Sequence, residues 1–165
     1  MKYGIRFLLA AALVILGTVP AFAQQSATDT VTVSAVVSAT AKLTLSSNAV
    51  AFADADPDTS PSISAAALTV GAKAKTSNGG AVTLTVQADG PLTSGGDTIA
   101  VGAITWTVGG AGFAAGTMDD ASAVSLGSWT NSGNRSGTQT YALTNSWTYA
   151  TGNYSMTVTY TLTAP

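Results

Sequence analysis

The chain of 165 residues contains no cysteine and no histidine, and all eight of its acidic residues are aspartate. Without cysteine it forms no disulfide and offers no thiol nucleophile. Without histidine it lacks an imidazole general base, a Ser-His-Asp triad and the commonest metal-binding side chain. Only 8% of the residues are charged. These absences remove most known active sites, and we expect the protein not to be an enzyme.

The first 23 residues have the three parts of a secretory signal peptide. Lys2 and Arg6 supply positive charge, residues 7–16 form an apolar run, and residues 21–23 read Ala-Phe-Ala, a small-x-small cleavage site. Ten apolar residues make about 15 Å of helix, roughly half of a bilayer core, which argues against a membrane anchor. We therefore expect a secreted protein, extracellular or at the cell surface, that starts at Gln24 and has no membrane partner.

Charge narrows the choice of partners further. Removal of the 23 residues, among them Lys2 and Arg6, leaves 142 residues with four basic and eight acidic side chains. Nucleic acids and anionic membrane surfaces are bound by clustered lysine and arginine in excess over acids. We expect neither to be a partner.

The remaining composition favours strands. Threonine occurs 25 times after residue 23, and no stretch has the apolar periodicity of a helix. The β-rich runs are residues 31–38, 42–45, 68–75, 81–88, 103–108, 124–129, 138–143 and 154–162. Glycine, asparagine and proline between the runs mark turns. This pattern predicts an all-β, immunoglobulin-like β-sandwich of about eight strands over residues 39–165, after a lead-in and candidate donor strand at residues 24–38.

Two segments have the cleanest alternation, one at each end of the mature chain. The first carries apolar side chains on one face, namely Val31, Val33, Ala35 and Val37. The second closes the chain and also has one apolar face, made by Tyr154, Met156, Val158, Tyr160 and Leu162. Residues two apart lie on the same side of a strand. We therefore predict an assembly strand at the beginning and a core-facing strand at the end.

These two ends resemble spore coat protein U domains and the related archaic chaperone-usher pilins. The resemblance lies in the run from Val31 to Phe52 and in the ending Gly-Asn-Tyr-Ser-Met-Thr-Val-Thr-Tyr-Thr-Leu at residues 152–162. It implies an incomplete immunoglobulin-like sandwich whose missing strand is supplied by the N-terminal strand of the next subunit. It also implies a periplasmic chaperone and an usher as assembly partners.

The function predicted on these grounds is a structural subunit of a secreted filament, pilus or coat, joined head to tail to copies of itself. A strand donated by a neighbour satisfies an open sheet edge and covers the apolar groove beside it. The sequence leaves a second interpretation open, in which residues 29–38 pair within their own sandwich. An alternative function is a monomeric extracellular carbohydrate-binding or adhesive module.

The most acidic stretch contains Asp54, Asp56 and Asp58. Alternating aspartates in a loop suit Ca²⁺, which prefers carboxylate oxygens. A twelve-residue calcium loop is excluded because Thr59 and Ala65 stand where glycine and glutamate are needed. We therefore expect a turn in which aspartate caps backbone N–H groups, with Ca²⁺ as the alternative and no other cofactor.

Lysines and aromatic residues form the remaining candidate sites. Lys73 and Lys75 lie two apart, which predicts one face of an edge strand where lysines block unwanted pairing. The aromatic candidates for a sugar-stacking platform are Trp106, Trp129, Trp147, Tyr141, Tyr149 and Tyr154. Core packing is the favoured interpretation for them, because Trp106 alternates with Ile104 and Val108.

Overall fold

The structure is a computed structural model that describes residues 25–165. The predicted signal peptide, residues 1–23, lies outside the described residues. The described part divides into residues 25–35 and a second unit, Val36–Pro165. Every strand belongs to the second unit.

Residues 36–165 form eleven strands and one 3₁₀ turn, Val101–Ala103. The strands are β1 (Thr40–Leu45), β2 (Ser62–Ser64), β3 (Leu68–Lys75), β4 (Ala81–Ala88), β5 (Leu92–Ser94), β6 (Asp97–Ile99), β7 (Ile104–Gly109), β8 (Gly116–Thr117), β9 (Val124–Thr130), β10 (Gly133–Thr144) and β11 (Val158–Thr163). The all-β, sandwich-like class predicted from the sequence is confirmed. The count exceeds the expected eight because β2, β5, β6 and β8 have only two or three residues each.

The strands belong to two main sheets and a small hairpin. The six-stranded sheet has the order β1-β3-β10-β7-β8, and β2 pairs with the last part of β10. The three-stranded sheet has the order β11-β4-β9, and β5 pairs with β6. All of these pairs are antiparallel.

The core lies between the two main sheets. In β3 and β4 every second residue is buried, as expected for strands with one face on a core and the other in water. The largest apolar side chains with almost no exposure are Trp106, Leu84, Ile104, Leu126, Val70, Val82 and Val86. Trp106 lies edge-on to the ring of Tyr141 at a centroid distance of 6.2 Å, and its indole N–H donates to the carbonyl of Ala114 at 2.9 Å. The indole N–H of this buried side chain therefore has its hydrogen-bond partner within the fold.

Strand β10 is twice as long as the sequence indicated. Residues 138–143 were expected to form a strand, but pairing extends from Gly133 to Thr144. The glycines in this stretch carry no alternation signal, yet Gly137 fits where a side chain would not. A Cβ at Gly137 would lie 2.6 Å from the carbonyl oxygen of Gly109 and from the ring of Phe113. Close approach of neighbouring chain explains a glycine in the middle of a long strand.

Candidate assembly site

Strand β11 forms one edge of the three-stranded sheet. It is hydrogen-bonded to β4 along its whole length, and within residues 25–165 no strand pairs with its other side. Its inward side chains Val158, Tyr160 and Leu162 pack against the core but are only half-buried. An open edge beside half-exposed apolar side chains is the kind of site to which a further strand adds.

Strand β1 forms an edge of the other sheet. It pairs with β3 on one side, and the described residues supply no strand on the other. Its inward Leu43 is half-buried, and Leu45 is 37% exposed. β1 lies beside β11 without pairing to it. We call the open sides of β1 and β11, with these inward side chains, the acceptor edges.

A buried hydrogen-bonded bridge supports β11 from behind. The Tyr160 hydroxyl donates to Oε1 of Gln139 at 2.7 Å and lies 2.7 Å from the hydroxyl of Tyr141. Gln139 and Tyr141 belong to β10, so the bridge joins the two main sheets. Burial raises the pKa of both tyrosines, which keeps both hydroxyls protonated. The bridge therefore fixes the centre of β11 while its outer edge stays open.

This bridge contains the polar core residue that the sequence analysis missed. Gln139 is fully buried, and its Nε2 has no hydrogen-bond partner within the described residues. A signal was present, because Gln139 alternates with Tyr141 and Leu143 on one face of the strand. A glutamine in an apolar register predicts a buried hydrogen-bond partner, although not which residue supplies it.

The predicted assembly strand is not a strand in the single chain. Residues 25–39 have no regular secondary structure, and all of their side chains are exposed. The exposed fractions are 85% for Val31, 90% for Val33 and 75% for Val37. Ala35 is exposed as well. The expectation of a strand over residues 29–38 is therefore wrong for the isolated molecule, because an alternating segment without a hydrogen-bonding partner forms no sheet.

The predicted C-terminal strand is shorter than expected, although its single apolar face is present. Pairing with β4 begins at Val158, while Tyr154 and Met156 precede the strand. Ser155 forms an isolated bridge with Thr93, which diverts the chain toward the β5–β6 hairpin. All five predicted residues still contact the core from the same side: Tyr154, Met156, Val158, Tyr160 and Leu162.

The acidic loop at residues 54–58 forms a turn. Oδ1 of Asp56 accepts the backbone N–H of Asp58 at 2.9 Å, as the capping interpretation predicted. Oδ1 of Asp58 accepts the indole N–H of Trp147 at 3.0 Å. Within the described part of the chain no three acidic side chains come close enough together to hold a metal ion. Asp54, Asp56 and Asp58 therefore do not converge on a Ca²⁺ site in this structure.

The aromatic residues divide between core and surface. Trp106 and Tyr141 are buried, and Trp129, Tyr149 and Tyr154 pack partly against the core. Trp147 alone among the tryptophans is 70% exposed. The six residues therefore do not form one continuous platform for a sugar.

The lysines occupy a different position from the one expected. Lys73 and Lys75 lie on β3, which is covered on its two sides by β1 and β10. The prediction that they protect an open edge is wrong, because β1 forms that edge. Lys42 lies on β1, directly opposite Lys73.

Comparison with known proteins adds no assignment. Among residues 25–165 no helix is long and apolar enough to cross a membrane. No family model matches the chain, and neither a curated protein nor a solved structure is significantly similar to it.

Proposed function

We propose that this protein is a structural subunit of a secreted surface filament, pilus or coat, and that it polymerises by donor-strand exchange. In this process the N-terminal segment of one copy pairs with the acceptor edge of β11 in the next. The observation that carries the proposal is the coincidence of open edges on β1 and β11 with an unpaired, alternating segment at residues 31–38. The resemblance of both chain ends to pilins of the chaperone-usher type supports it.

Burial of the exposed valines is expected to favour insertion of the segment. Val31, Val33 and Val37 lie on one face of an extended segment and are at least three-quarters exposed in the single chain. Burying each of them contributes on the order of 1.5–3 kcal/mol before the cost of ordering the segment is subtracted. The inserted strand also provides hydrogen-bond partners for the open edge of β11. Both contributions favour the polymer over the monomer.

The proposed contact is head to tail. The donor segment and the acceptor edges are different surfaces, so each copy uses both and the chain of contacts need not close. Such contacts generate a filament rather than a symmetric dimer. Export by the predicted signal peptide places the filament outside the cell, and a periplasmic chaperone and usher are its proposed assembly partners. No catalytic residue, cofactor or nucleic acid enters this proposal.

The experiment that tests the proposal compares the mature chain, starting at Gln24, with a variant that lacks residues 24–38. Negative-stain microscopy and light scattering are expected to show fibres for the first and monomers for the second. A synthetic peptide of residues 25–39 is expected to bind the shortened variant and to stop growth of the intact one. Unchanged fibres from the shortened variant would show that the N-terminal segment is not the donor.

A matched pair of variants isolates the apolar face. Val31→Thr/Val33→Thr/Val37→Thr keeps the shape of each side chain but adds a hydroxyl group that is costly to bury. We expect it to slow fibre growth at least tenfold. Val36→Thr, on the other face of the segment, is the control and is expected to grow at the wild-type rate. Equal effects of the two variants would contradict a one-faced insertion.

The alternative function, an extracellular carbohydrate-binding or adhesive module, is favoured by one observation. Trp147 is exposed, and the hydrogen bond to Asp58 holds its indole in a fixed orientation. Sugar rings stack on aromatic faces presented in this way. Glycan-array binding by the monomer that is lost in Trp147→Ala, without any change in fibre growth, would favour this second function.

A further inference from the structure

All basic side chains of the described residues lie toward one end of the sandwich. β1 and β3 pair so that Lys42 is opposite Lys73 and Thr40 is opposite Lys75. Arg135, near the beginning of β10, lies opposite Ala72 of β3. Thr76 at this end hydrogen-bonds to Ser132 and to Pro165. We call this end, with Lys42, Lys73, Lys75 and Arg135, the basic end.

Seven of the eight aspartates lie toward the opposite end. Asp54, Asp56 and Asp58 occupy the loop between the end of β1 and the start of β2. Asp89 follows β4, Asp97 lies in the β5–β6 hairpin, and the backbone of Asp119 is hydrogen-bonded to Ala88, the last residue of β4. The acidic end is defined by Asp54, Asp56, Asp58, Asp89, Asp97, Asp119 and Asp120. The remaining aspartate, Asp29, belongs to the N-terminal segment.

Hydrogen bonds from backbone and side-chain donors keep two of these carboxylates ionised. The N–H of Thr157 donates to Asp89 at 2.8 Å and lowers the pKa of that carboxyl. The hydroxyl of Ser122 and the N–H of Ala121 do the same for Asp119. Stabilisation of the charged form by hydrogen bonds is the physical cause. These two carboxylates of the acidic end therefore keep their negative charge in more acid solution than an ordinary aspartate does.

The separation of basic and acidic side chains into two ends is unfavourable within a single molecule. Lys42 and Lys73 are direct cross-strand neighbours, and like charges in that position destabilise a sheet. An eight-residue strand such as β3 spans about 26 Å, whereas charges are screened over about 8 Å at physiological ionic strength. The aspartates are thus too far away to neutralise the lysines of the same copy. Protection of an edge does not explain Lys73 and Lys75, because β3 is an interior strand.

We propose that the basic end of one copy docks on the acidic end of the next, and that this contact fixes the direction in which the N-terminal segment is inserted. The inference rests on the proposed function, since it concerns the same polymer. It adds a second contact surface, between the ends of adjacent copies, to the strand itself. The partner is a second copy of this chain because both complementary surfaces belong to the same molecule.

The direction in which the N-terminal segment is inserted decides which charged ends of adjacent copies meet. β11 runs from Val158 at the acidic end to Thr163 at the basic end, and Ser38 is followed at once by β1 at the basic end of its own copy. A segment inserted antiparallel to β11 leaves the acceptor at its acidic end, so the donor's basic end arrives there. A parallel insertion would bring two basic ends together. The antiparallel direction also places Asp29 of the donor near the acceptor's basic end.

Charge reversal tests the contact. Lys42→Glu/Lys73→Glu/Lys75→Glu/Arg135→Glu makes both ends acidic, and Asp54→Lys/Asp58→Lys/Asp97→Lys/Asp120→Lys makes both ends basic. We expect each variant alone to polymerise at least tenfold more slowly than the wild type, because steering between opposite charges changes association rates by tenfold or more. An equimolar mixture of the two variants is expected to recover to within threefold of the wild-type rate.

The chain carrying all eight substitutions is the matched control. Its net charge equals that of the wild type while both ends are reversed, so recovery of its rate separates complementarity from net charge. Circular dichroism confirms that each variant is folded before rates are compared. Wild-type rates for both charge-reversed variants, or a mixture no faster than either variant alone, would overturn the proposal.

Cysteine crosslinking tests the direction, because the chain has no cysteine of its own. Under oxidation, Thr30→Cys/Thr163→Cys is expected to give a covalent ladder of polymers, and Thr30→Cys/Thr157→Cys is not. The opposite pattern would mean parallel insertion and would overturn the end-to-end contact while leaving donor-strand exchange intact. Ladders from neither pair, together with fibre growth that survives removal of residues 24–38, would instead reject the proposed function.

Discussion

Tyr160 is the residue that ties the acceptor strand to the rest of the core. Its hydroxyl meets Gln139 and Tyr141 of the opposite sheet, where water has little access. Hydrogen bonds in such surroundings contribute little net free energy, but a partner left without one is costly. The bridge therefore acts mainly as a positional constraint on β11.

We predict that Tyr160→Phe lowers the free energy of unfolding by about 1–3 kcal/mol, because Gln139 Oε1 and the Tyr141 hydroxyl lose their shared partner. Urea denaturation measures the change. Tyr154→Phe is the control, since the hydroxyl of Tyr154 bonds the Ala150 carbonyl at the exposed surface. Its expected loss is below about 1 kcal/mol. Equal losses for the two variants would contradict a special role of the bridge.

Tyr160 should also make the stability of the folded protein depend on pH in alkaline solution. Burial raises the pKa of Tyr160 above the ordinary tyrosine value of 10.0, so the folded state holds the phenolic proton more tightly than the unfolded chain. The resulting stability is fully present below pH 10 and is lost as the pH rises from about 10 toward the folded-state pKa. The urea concentration at the midpoint of unfolding should therefore decrease for the wild type as the pH is raised from 9 to 11. If the urea midpoint of Tyr160→Phe decreased by the same amount over this pH range, groups other than Tyr160 would be responsible for the loss of stability.

At the scale of elements, β10 is the strand around which the six-stranded sheet is built. It pairs with β3, β7 and β2 along different parts of its length. Its glycine at position 137 permits Phe113 and the neighbouring chain to lie against it. The strand is long because packing requires it, not because its residues have strong strand propensity.

Gly137→Ala is expected to lower the free energy of unfolding by about 1–3 kcal/mol, because the added methyl group meets backbone and an aromatic ring at once. Thermal or urea unfolding measures it. Gly102→Ala provides the matched control, since a Cβ there has no atom within 4 Å, and its expected change is below about 0.5 kcal/mol. A harmless Gly137→Ala would mean that this part of β10 relaxes freely.

The sequence predicted the elements that alternate and missed those set by contacts between distant residues. β3 and β4 have the expected bounds because their every second residue is apolar. The short strands β2, β5, β6 and β8 have too few residues for any periodic signal. Residues 31–38 alternate clearly between apolar and polar side chains and yet form no strand. Alternation decides which face of a segment is apolar, but it does not supply a neighbouring strand to pair with.

Some features of the candidate site could likewise be predicted from the sequence, and others could not. The apolar face of β11 follows from the spacing of Val158, Tyr160 and Leu162. That its outer side is open does not, since an open edge depends on which other strands fill the sheet. The two charged ends are also invisible in the sequence, where lysines 42 and 73 are far apart until β1 and β3 pair.

At the scale of the whole molecule, the proposed polymer has a defined pH dependence. The chain has no histidine, and its charged groups are aspartate, lysine and arginine, so its side-chain charges change little between pH 5 and 9. Light scattering should therefore give an assembly rate that is flat over this range. Asp89 and Asp119, whose hydrogen bonds lower their pKa, should keep their charge into the acid range. The α-amino group of the mature chain ordinarily titrates near pH 8, so a steep change between pH 6 and 8 that persists after acetylation of that group would contradict the expectation.

The proposed polymer depends most on the pairing of residues 31–38 of one copy with β11 of another, and amide hydrogen exchange measures that pairing directly. In the monomer, residues 31–38 and the open side of β11 are expected to exchange rapidly. On polymerisation, both segments should become protected together, by at least a hundredfold, while β3 and β4 stay as they were. Polymers in which residues 31–38 still exchange at the monomer rate would contradict donor-strand exchange.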